Sequence, residues 1–163
     1  MTDLGIGRPS TIVSLVGLGV AAALLTILVV IIRRQGRSLV DQAETEDVDL
    51  LPQTRNEMRL FFVLAVMVGC GWEVLYRGYL LFYLELAIGL SASIALASLA
   101  YGTAHGFETW QRFCGSIAAA LVFTTGYALT ANIWWLMLLH TGLALLPVLT
   151  GTVPAATGEP TET

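Results

Sequence analysis

Residues 69–85 read GCGWEVLYRGYLLFYLE, an apolar stretch that carries a carboxylate and a guanidinium four residues apart. Ionisable groups inside a bilayer cost about 2.5–3.5 kcal/mol each on insertion scales, so they face the interior of a helix bundle. With the acid on the N-terminal side, Glu73 and Arg77 can pair along one helix face. Two interpretations stay open. The pair either neutralises itself and locks the helix into its bundle, or it serves a function in which Arg77 binds a carboxylate or substrate group and Glu73 carries a proton or acts as a ligand.

The composition indicates a membrane protein. Of the 163 residues, 56% are hydrophobic and only 12% are charged, whereas about a quarter of a soluble domain is charged. Every positive charge is an arginine and no basic patch occurs, so a lipid bilayer is the expected partner and nucleic acid is not. Cys70 and Cys114 both lie in apolar runs, which predicts small buried side chains rather than a disulfide or a metal pair.

The first apolar run covers residues 12–32 and is long enough to cross a bilayer. Arginines follow it at once, at positions 33, 34 and 37. Because positive charge marks the cytoplasmic side, the N-terminus is predicted to lie outside and the 33–59 loop inside. We therefore predict an N-terminal transmembrane helix in residues 1–35 and an acidic cytoplasmic linker in residues 36–56.

Four more apolar segments follow the linker, at residues 57–84, 86–105, 113–129 and 131–149. The connections between them are short, which makes consecutive helices antiparallel neighbours. The sequence thus predicts an all-α integral membrane bundle of about five transmembrane helices. Its core is a four-helix unit at 57–150, and a disordered polar tail follows at 151–163.

Two histidines stand in these segments, His105 near the end of the third and His140 inside the fifth. A neutral imidazole tolerates burial and can serve as a metal ligand or general base. Together with Glu73 and Arg77 on another segment, the histidines predict a functional cluster. The alternative is a set of hydrogen bonds between helices.

At these residues the chain resembles the CPBP family of intramembrane proteases, which includes the CAAX prenyl endopeptidases and the bacterial Abi proteins linked to bacteriocin processing or immunity. The first family motif is Glu-Glu-x-x-x-Arg, and residues 72–77 read WEVLYR. The second is Phe-x-x-x-His, and residues 101–105 read YGTAH. The third is His-x-x-x-Asn or Asp, and residues 140–144 read HTGLA. All three occur in order within residues 57–150.

The resemblance implies a membrane-embedded endopeptidase, in the bacterial cytoplasmic membrane, that acts on a membrane peptide or a lipidated CAAX-type protein. It implies catalytic roles for Glu73, His105 and His140. It implies substrate-binding or structural roles for Arg77, Trp72 and Tyr101. One divalent metal such as zinc would be held by His105 and His140.

Two positions depart from the family pattern. Trp72 stands where the family has the glutamate thought to activate water beside the second-motif histidine, and Ala144 stands where it has Asn or Asp. Without a carboxylate beside the histidines, general-base assistance worth about 10²–10⁴-fold in rate is lost. The indole of Trp72 would also fill the space that substrate and water need.

Helix geometry adds two conditions. Adjacent residues point about 100° apart, so a Trp72 that faces the histidines turns Glu73 away unless the helix is distorted, for which Gly69 and Gly71 offer a place. The histidines converge only if the third helix continues past His105.

Three functions therefore remain open. The chain is a working endopeptidase with a shifted arrangement, an inactive pseudoprotease that acts as a membrane binding or scaffold protein, or a small helical transporter or channel subunit.

Overall fold

A computed structural model describes residues 12–35, 52 and 54–150. The predicted tail at 151–163, and the predicted linker at 36–56 apart from its last residues and residue 52, lie outside the described part. The helices are α1 Ile12–Gln35, α2 Arg55–Glu73, a π-helix Val74–Leu80, α3 Leu81–Ile88, α4 Leu90–Ala104, α5 Trp110–Thr130, α6 Trp134–Ala144 and α7 Leu146–Thr150. The described residues contain no strand, which confirms the all-α prediction.

Three helical stretches are long and apolar enough to cross a membrane: Ser14–Arg34, Arg55–Ile88 and Trp110–Thr130. The second of these joins α2, the π-helix and α3 into one continuous helix, which starts two residues before the predicted segment 57–84 and ends four residues after it. The segment predicted at 131–149 divides at Leu145 into α6 and the short α7. α4 is apolar but shorter.

The helix ends follow from local side-chain chemistry. Thr54 accepts a hydrogen bond from the backbone of Glu57, and the Glu57 side chain accepts one from the backbone of Thr54. This reciprocal capping box satisfies two backbone donors that a helix start leaves open. Gly89, at φ 77°, separates α3 from α4, and a positive φ is a conformation that glycine adopts without a steric penalty.

Small residues let α6 approach both α1 and α2. A β-carbon added at Gly142 would lie 2.4 Å from Leu25 Cδ1, and one at Gly69 would lie 2.3 Å from Thr141 Oγ1. Close approach at small residues is typical of helix packing in membranes. At the far end, Arg33 of α1 donates to the carbonyl of Leu149 at 2.6 Å. α1 and α6 therefore run in the same direction, while the orientation of the bundle across the membrane stays a prediction.

A buried apolar cluster joins α3, α4, α5 and α6. It consists of Leu81, Ala97, Tyr127, Ile133 and Leu136. The cysteines do not belong to it: both are free, Cys70 is half-buried and Cys114 is exposed. The absence of a disulfide agrees with the sequence, but the predicted burial of Cys114 is wrong, because its helix turns this side chain outward.

Candidate functional site

A buried ion pair stands at the centre of the site. Glu73 is the last residue of α2 and Arg77 lies one turn later in the π-helix. Their side chains are 0% and 1% exposed, and Arg77 Nη1 lies 3.1 Å from Glu73 Oε1. The guanidinium lies over the Tyr101 ring, 4.4 Å from its centroid. Opposite charges compensate each other where neither reaches water, and the aromatic face adds a cation–π contact.

His140 of α6 binds the same carboxylate oxygen. Its Nδ1 lies 2.8 Å from Glu73 Oε1, and its Nε2 lies 3.5 Å from the hydroxyl of Tyr101. An ionised carboxylate only accepts hydrogen bonds, so beside an ionised Glu73 the imidazole donates from Nδ1 and keeps a lone pair on Nε2. The arrangement resembles a carboxylate–histidine dyad, in which the acid fixes the tautomer of the ring.

Trp72 packs against the other histidine. Its ring centroid lies 4.7 Å from that of His105, 5.5 Å from that of Tyr101 and 6.5 Å from that of His140, in edge-to-face geometry. Trp72 and Glu73 therefore each contact a histidine, and the helix is distorted next to them, since the π-helix begins at Val74. Each of the two adjacent residues meets a different histidine: Trp72 packs most closely on His105, and Glu73 bonds His140.

His105 caps the end of α4 instead of lying within it. The helix ends at Ala104, and the Nδ1 of His105 lies 3.0 Å from the carbonyl of Tyr101. The helix does not continue past His105, yet the ring still reaches the cluster through Trp72. Among the described residues His105 has no hydrogen bond to Glu73 or His140. Of the three predicted catalytic residues, Glu73 and His140 are hydrogen-bonded to each other, whereas His105 packs against the indole of Trp72.

The π-helix starts directly after Glu73, at Val74, and continues to Leu80. A π-helix inserts extra backbone into the turn and occurs frequently at functional sites. The sequence offers Gly69 and Gly71 as a place for such a distortion. Gly69 instead sits against Thr141, and the distortion follows the carboxylate instead of preceding it.

The donors for a metal are few. Among the described residues no group of three or more His, Cys, Asp or Glu side chains is placed to hold a metal ion, whereas a catalytic zinc site uses three protein ligands. One ring nitrogen of each histidine already faces another partner, a carbonyl for His105 and a carboxylate for His140. The residues do not fit a zinc centre, and metal binding by His105 and His140 stays a prediction.

The third motif ends without a polar group. Ala144 is the last residue of α6, one turn after His140, and its methyl group cannot donate or accept a hydrogen bond. The nearby hydroxyl of Thr141 is buried and has no partner among the described residues. The amide or carboxylate of the family motif is thus not replaced at its own position.

Sequence reasoning missed Thr124 of α5. This residue is 1% exposed, and its hydroxyl oxygen lies 3.3 Å from Arg77 Nε. It stands in a segment rich in small residues and beside a second threonine, so nothing in the sequence marks it. Only the contact of its hydroxyl with Arg77 of the long helix identifies it.

The class of this protein follows from its fold and its cluster, and its family from comparison with known proteins. The fold and the cluster define a helical integral membrane protein with a buried Glu–Arg–His site. Residues 54–146 match the family model for type II CAAX prenyl endopeptidase Rce1-like proteins, and the chain belongs to this family. No curated protein and no solved structure gives a match. The predicted CAAX-protease resemblance is confirmed.

Proposed function

We propose that this Rce1-like protein binds a membrane peptide segment or a lipidated protein tail, and that its endopeptidase activity is strongly impaired. The observation that carries the proposal is the contact of Trp72 with His105 at 4.7 Å between ring centroids. In the family pattern a glutamate occupies this position. Here an apolar indole takes the place of the group that would activate water.

The chemistry of peptide hydrolysis explains the impairment. Water attacks a peptide carbonyl when a base removes its proton and donors stabilise the oxyanion. Among the described residues no carboxylate is hydrogen-bonded to His105 to act as its base, and Glu73 is directed to Arg77 and His140. At the third motif Ala144 supplies no oxyanion donor. The chain thus lacks both contributions at the places where the family keeps them.

Binding is supported by the surface beside the cluster. A cavity of about 540 Å³ opens between α1, α2 and α6 and is lined by Leu18, Val66, Cys70, Met137, Leu138 and Thr141, among others. Its lining is almost wholly apolar, and Thr141 is the neighbour of His140 in sequence. Ligand pockets of 300–1,000 Å³ are typical of binding sites. A lipid chain or an apolar peptide segment fits a cavity of this size and polarity.

The test is cleavage of a panel of CAAX-type and bacteriocin-precursor peptides by the purified protein in lipid. We expect no cleavage by the natural chain or by its His105→Ala/His140→Ala variant, and cleavage by Trp72→Glu/Ala144→Asn. Binding of the same peptides is measured in parallel and is expected for the natural chain. Cleavage by the natural chain that disappears in the histidine variant would overturn the impairment, and absence of any binding would overturn the binding role.

A second candidate function is a working endopeptidase based on Glu73 and His140. The specific observation in its favour is the 2.8 Å contact, which leaves Nε2 of His140 facing away from the carboxylate. In this case the natural chain cleaves a peptide of the panel, Glu73→Gln and His140→Ala both abolish cleavage, and His105→Ala has a smaller effect.

A further inference from the structure

We infer that Thr124 is a positioning residue that keeps Glu73 available to His140. It acts through Arg77: by accepting from Nε it holds the guanidinium in a one-point pairing with the carboxylate. The inference rests on the proposed function only in taking the polar cluster as the site. The contacts among Thr124, Arg77, Glu73 and His140 can be measured without any substrate.

The pairing of Glu73 with Arg77 leaves two buried polar atoms without a hydrogen-bond partner among the described residues. Arg77 meets Glu73 through Nη1 and Oε1 alone. Arg77 Nη2 and Glu73 Oε2 are both buried and have no hydrogen-bond partner among the described residues. Arginine and carboxylate commonly pair as two parallel bonds, fork to fork, which would satisfy both open atoms at once. A buried polar atom without a partner is costly, so the fork is the natural competitor of the observed geometry.

Thr124 opposes the fork. The guanidinium is planar: its Nε–H shares one edge with Nη2, and Nη1 and Nη2 together form the end that a fork to Glu73 would use. Because Nε donates to Thr124 of α5 and the ring of Tyr101 covers one face, the group is fixed in rotation and in tilt. Nη1 then reaches only one carboxylate oxygen. The same oxygen, Oε1, is left in position to accept from His140 Nδ1.

The hydroxyl of Thr124 has a different kind of hydrogen-bond partner from most other hydroxyls in these helices. Serine and threonine hydroxyls of helices usually bond a backbone carbonyl three or four residues earlier. Thr26, Ser93, Thr103, Ser116 and Thr130 do so. Thr124 instead accepts from a side chain 47 residues away, which ties α5 to the long helix at the site.

The experiment uses the full chain in lipid nanodiscs with ¹⁵N-labelled histidine. The chain has two histidines, so a His105→Ala variant assigns the His140 signals. Thr124→Val keeps the shape and removes the acceptor, Thr124→Ser keeps the hydroxyl, and Thr125→Val is the matched control at the exposed neighbouring position. We expect Thr124→Val to exchange the His140 Nδ1 proton about tenfold faster, the ratio that corresponds to 1.4 kcal/mol. Thr124→Ser and Thr125→Val should match the natural chain.

Equal exchange in Thr124→Val and Thr125→Val would overturn the inference. If Thr124→Val does not fold, ¹⁵N-arginine spectra of the natural chain test the inference instead. Protected Nε and Nη1 protons with an unprotected Nη2 would support one-point pairing. Protection of both Nη groups would overturn the inference. Neither measurement uses cleavage or peptide binding. A failed peptide panel with a positive exchange result would therefore reject the proposed function alone.

Discussion

A single carboxylate oxygen of Glu73 lies 2.8 Å from His140 Nδ1 and 3.1 Å from Arg77 Nη1. The contact with His140 joins the long helix to α6 across 67 residues of sequence. Because Glu73 is fully buried, these two contacts are what compensate its charge. Glu73, which together with Arg77 first indicated a functional segment, therefore also links two helices through its contact with His140.

This geometry predicts the effect of removing the cation. Arg77→Met leaves a buried carboxylate without its charge partner, and we expect a loss of about 3–5 kcal/mol in the free energy of unfolding. The double variant Glu73→Gln/Arg77→Met removes both charges and should recover much of this loss. Unfolding in mixed micelles, followed by circular dichroism, measures the double-mutant cycle. Additive losses would show that the two side chains do not interact.

The fold was predictable from the sequence because apolar length alone defines membrane helices. The i, i+4 spacing of Glu73 and Arg77 likewise predicts their pairing on any helix. The contact of Glu73 with His140 was not predictable, because it depends on the angle at which α6 crosses the long helix. An ideal α-helix suggests that Trp72 and Glu73 cannot both face the histidines, whereas the observed helix is distorted after Glu73 and each of the two residues contacts one histidine.

The π-helix and Thr124 had no signal in the sequence. No residue between Val74 and Leu80 marks a π-turn, since leucine, tyrosine and glycine occur equally in α-helices. Thr124 acquires its role only from the position of Arg77 on another helix. α4 ends at Ala104, one residue before the predicted end at 105. A difference of one residue decides whether a side chain lies in a helix or at its cap.

His105 is already exposed, and removal of the indole of Trp72 should increase its exposure further. The ring of Trp72 covers one side of the imidazole at 4.7 Å, so Trp72→Ala opens this side to reagents. We expect faster modification of His105 by diethyl pyrocarbonate, measured by mass spectrometry, and little change at His140, whose Nδ1 stays on Glu73. Trp134→Ala, at a half-exposed tryptophan of α6 (40% exposed), is the control. Equal rates at His105 in both variants would contradict the shielding.

Two glycines of α2 should respond in opposite ways to alanine. At Gly69 an added β-carbon would lie 2.3 Å from Thr141 Oγ1 and 2.8 Å from its backbone nitrogen, so backbone must move. At Gly71 an added β-carbon meets nothing within 4 Å. We expect Gly69→Ala to destabilise the fold by about 1–3 kcal/mol, and Gly71→Ala to be neutral or stabilising by up to about 1 kcal/mol. Equal unfolding free energies would show that α2 and α6 are not in close contact.

A carboxylate at position 72 should create a zinc site. The position lies beside both histidines, with ring centroids 4.7 Å and 6.5 Å from the indole, and Trp72→Glu would add a third donor to His105 and His140. Three protein ligands are the number that zinc sites with an open position use. Zinc at about 100 times its dissociation constant would stabilise the folded variant by about 2.7 kcal/mol.

Thermal unfolding in lipid, with zinc or with a chelator, measures this difference. The natural chain and Trp72→Gln are the controls, because glutamine keeps the approximate shape of the new side chain without its charge. We expect a zinc-dependent rise in the unfolding temperature that is larger for Trp72→Glu than for either control, and that is lost in Trp72→Glu/His105→Ala. An equal rise in all of these proteins would place the bound zinc elsewhere in the chain.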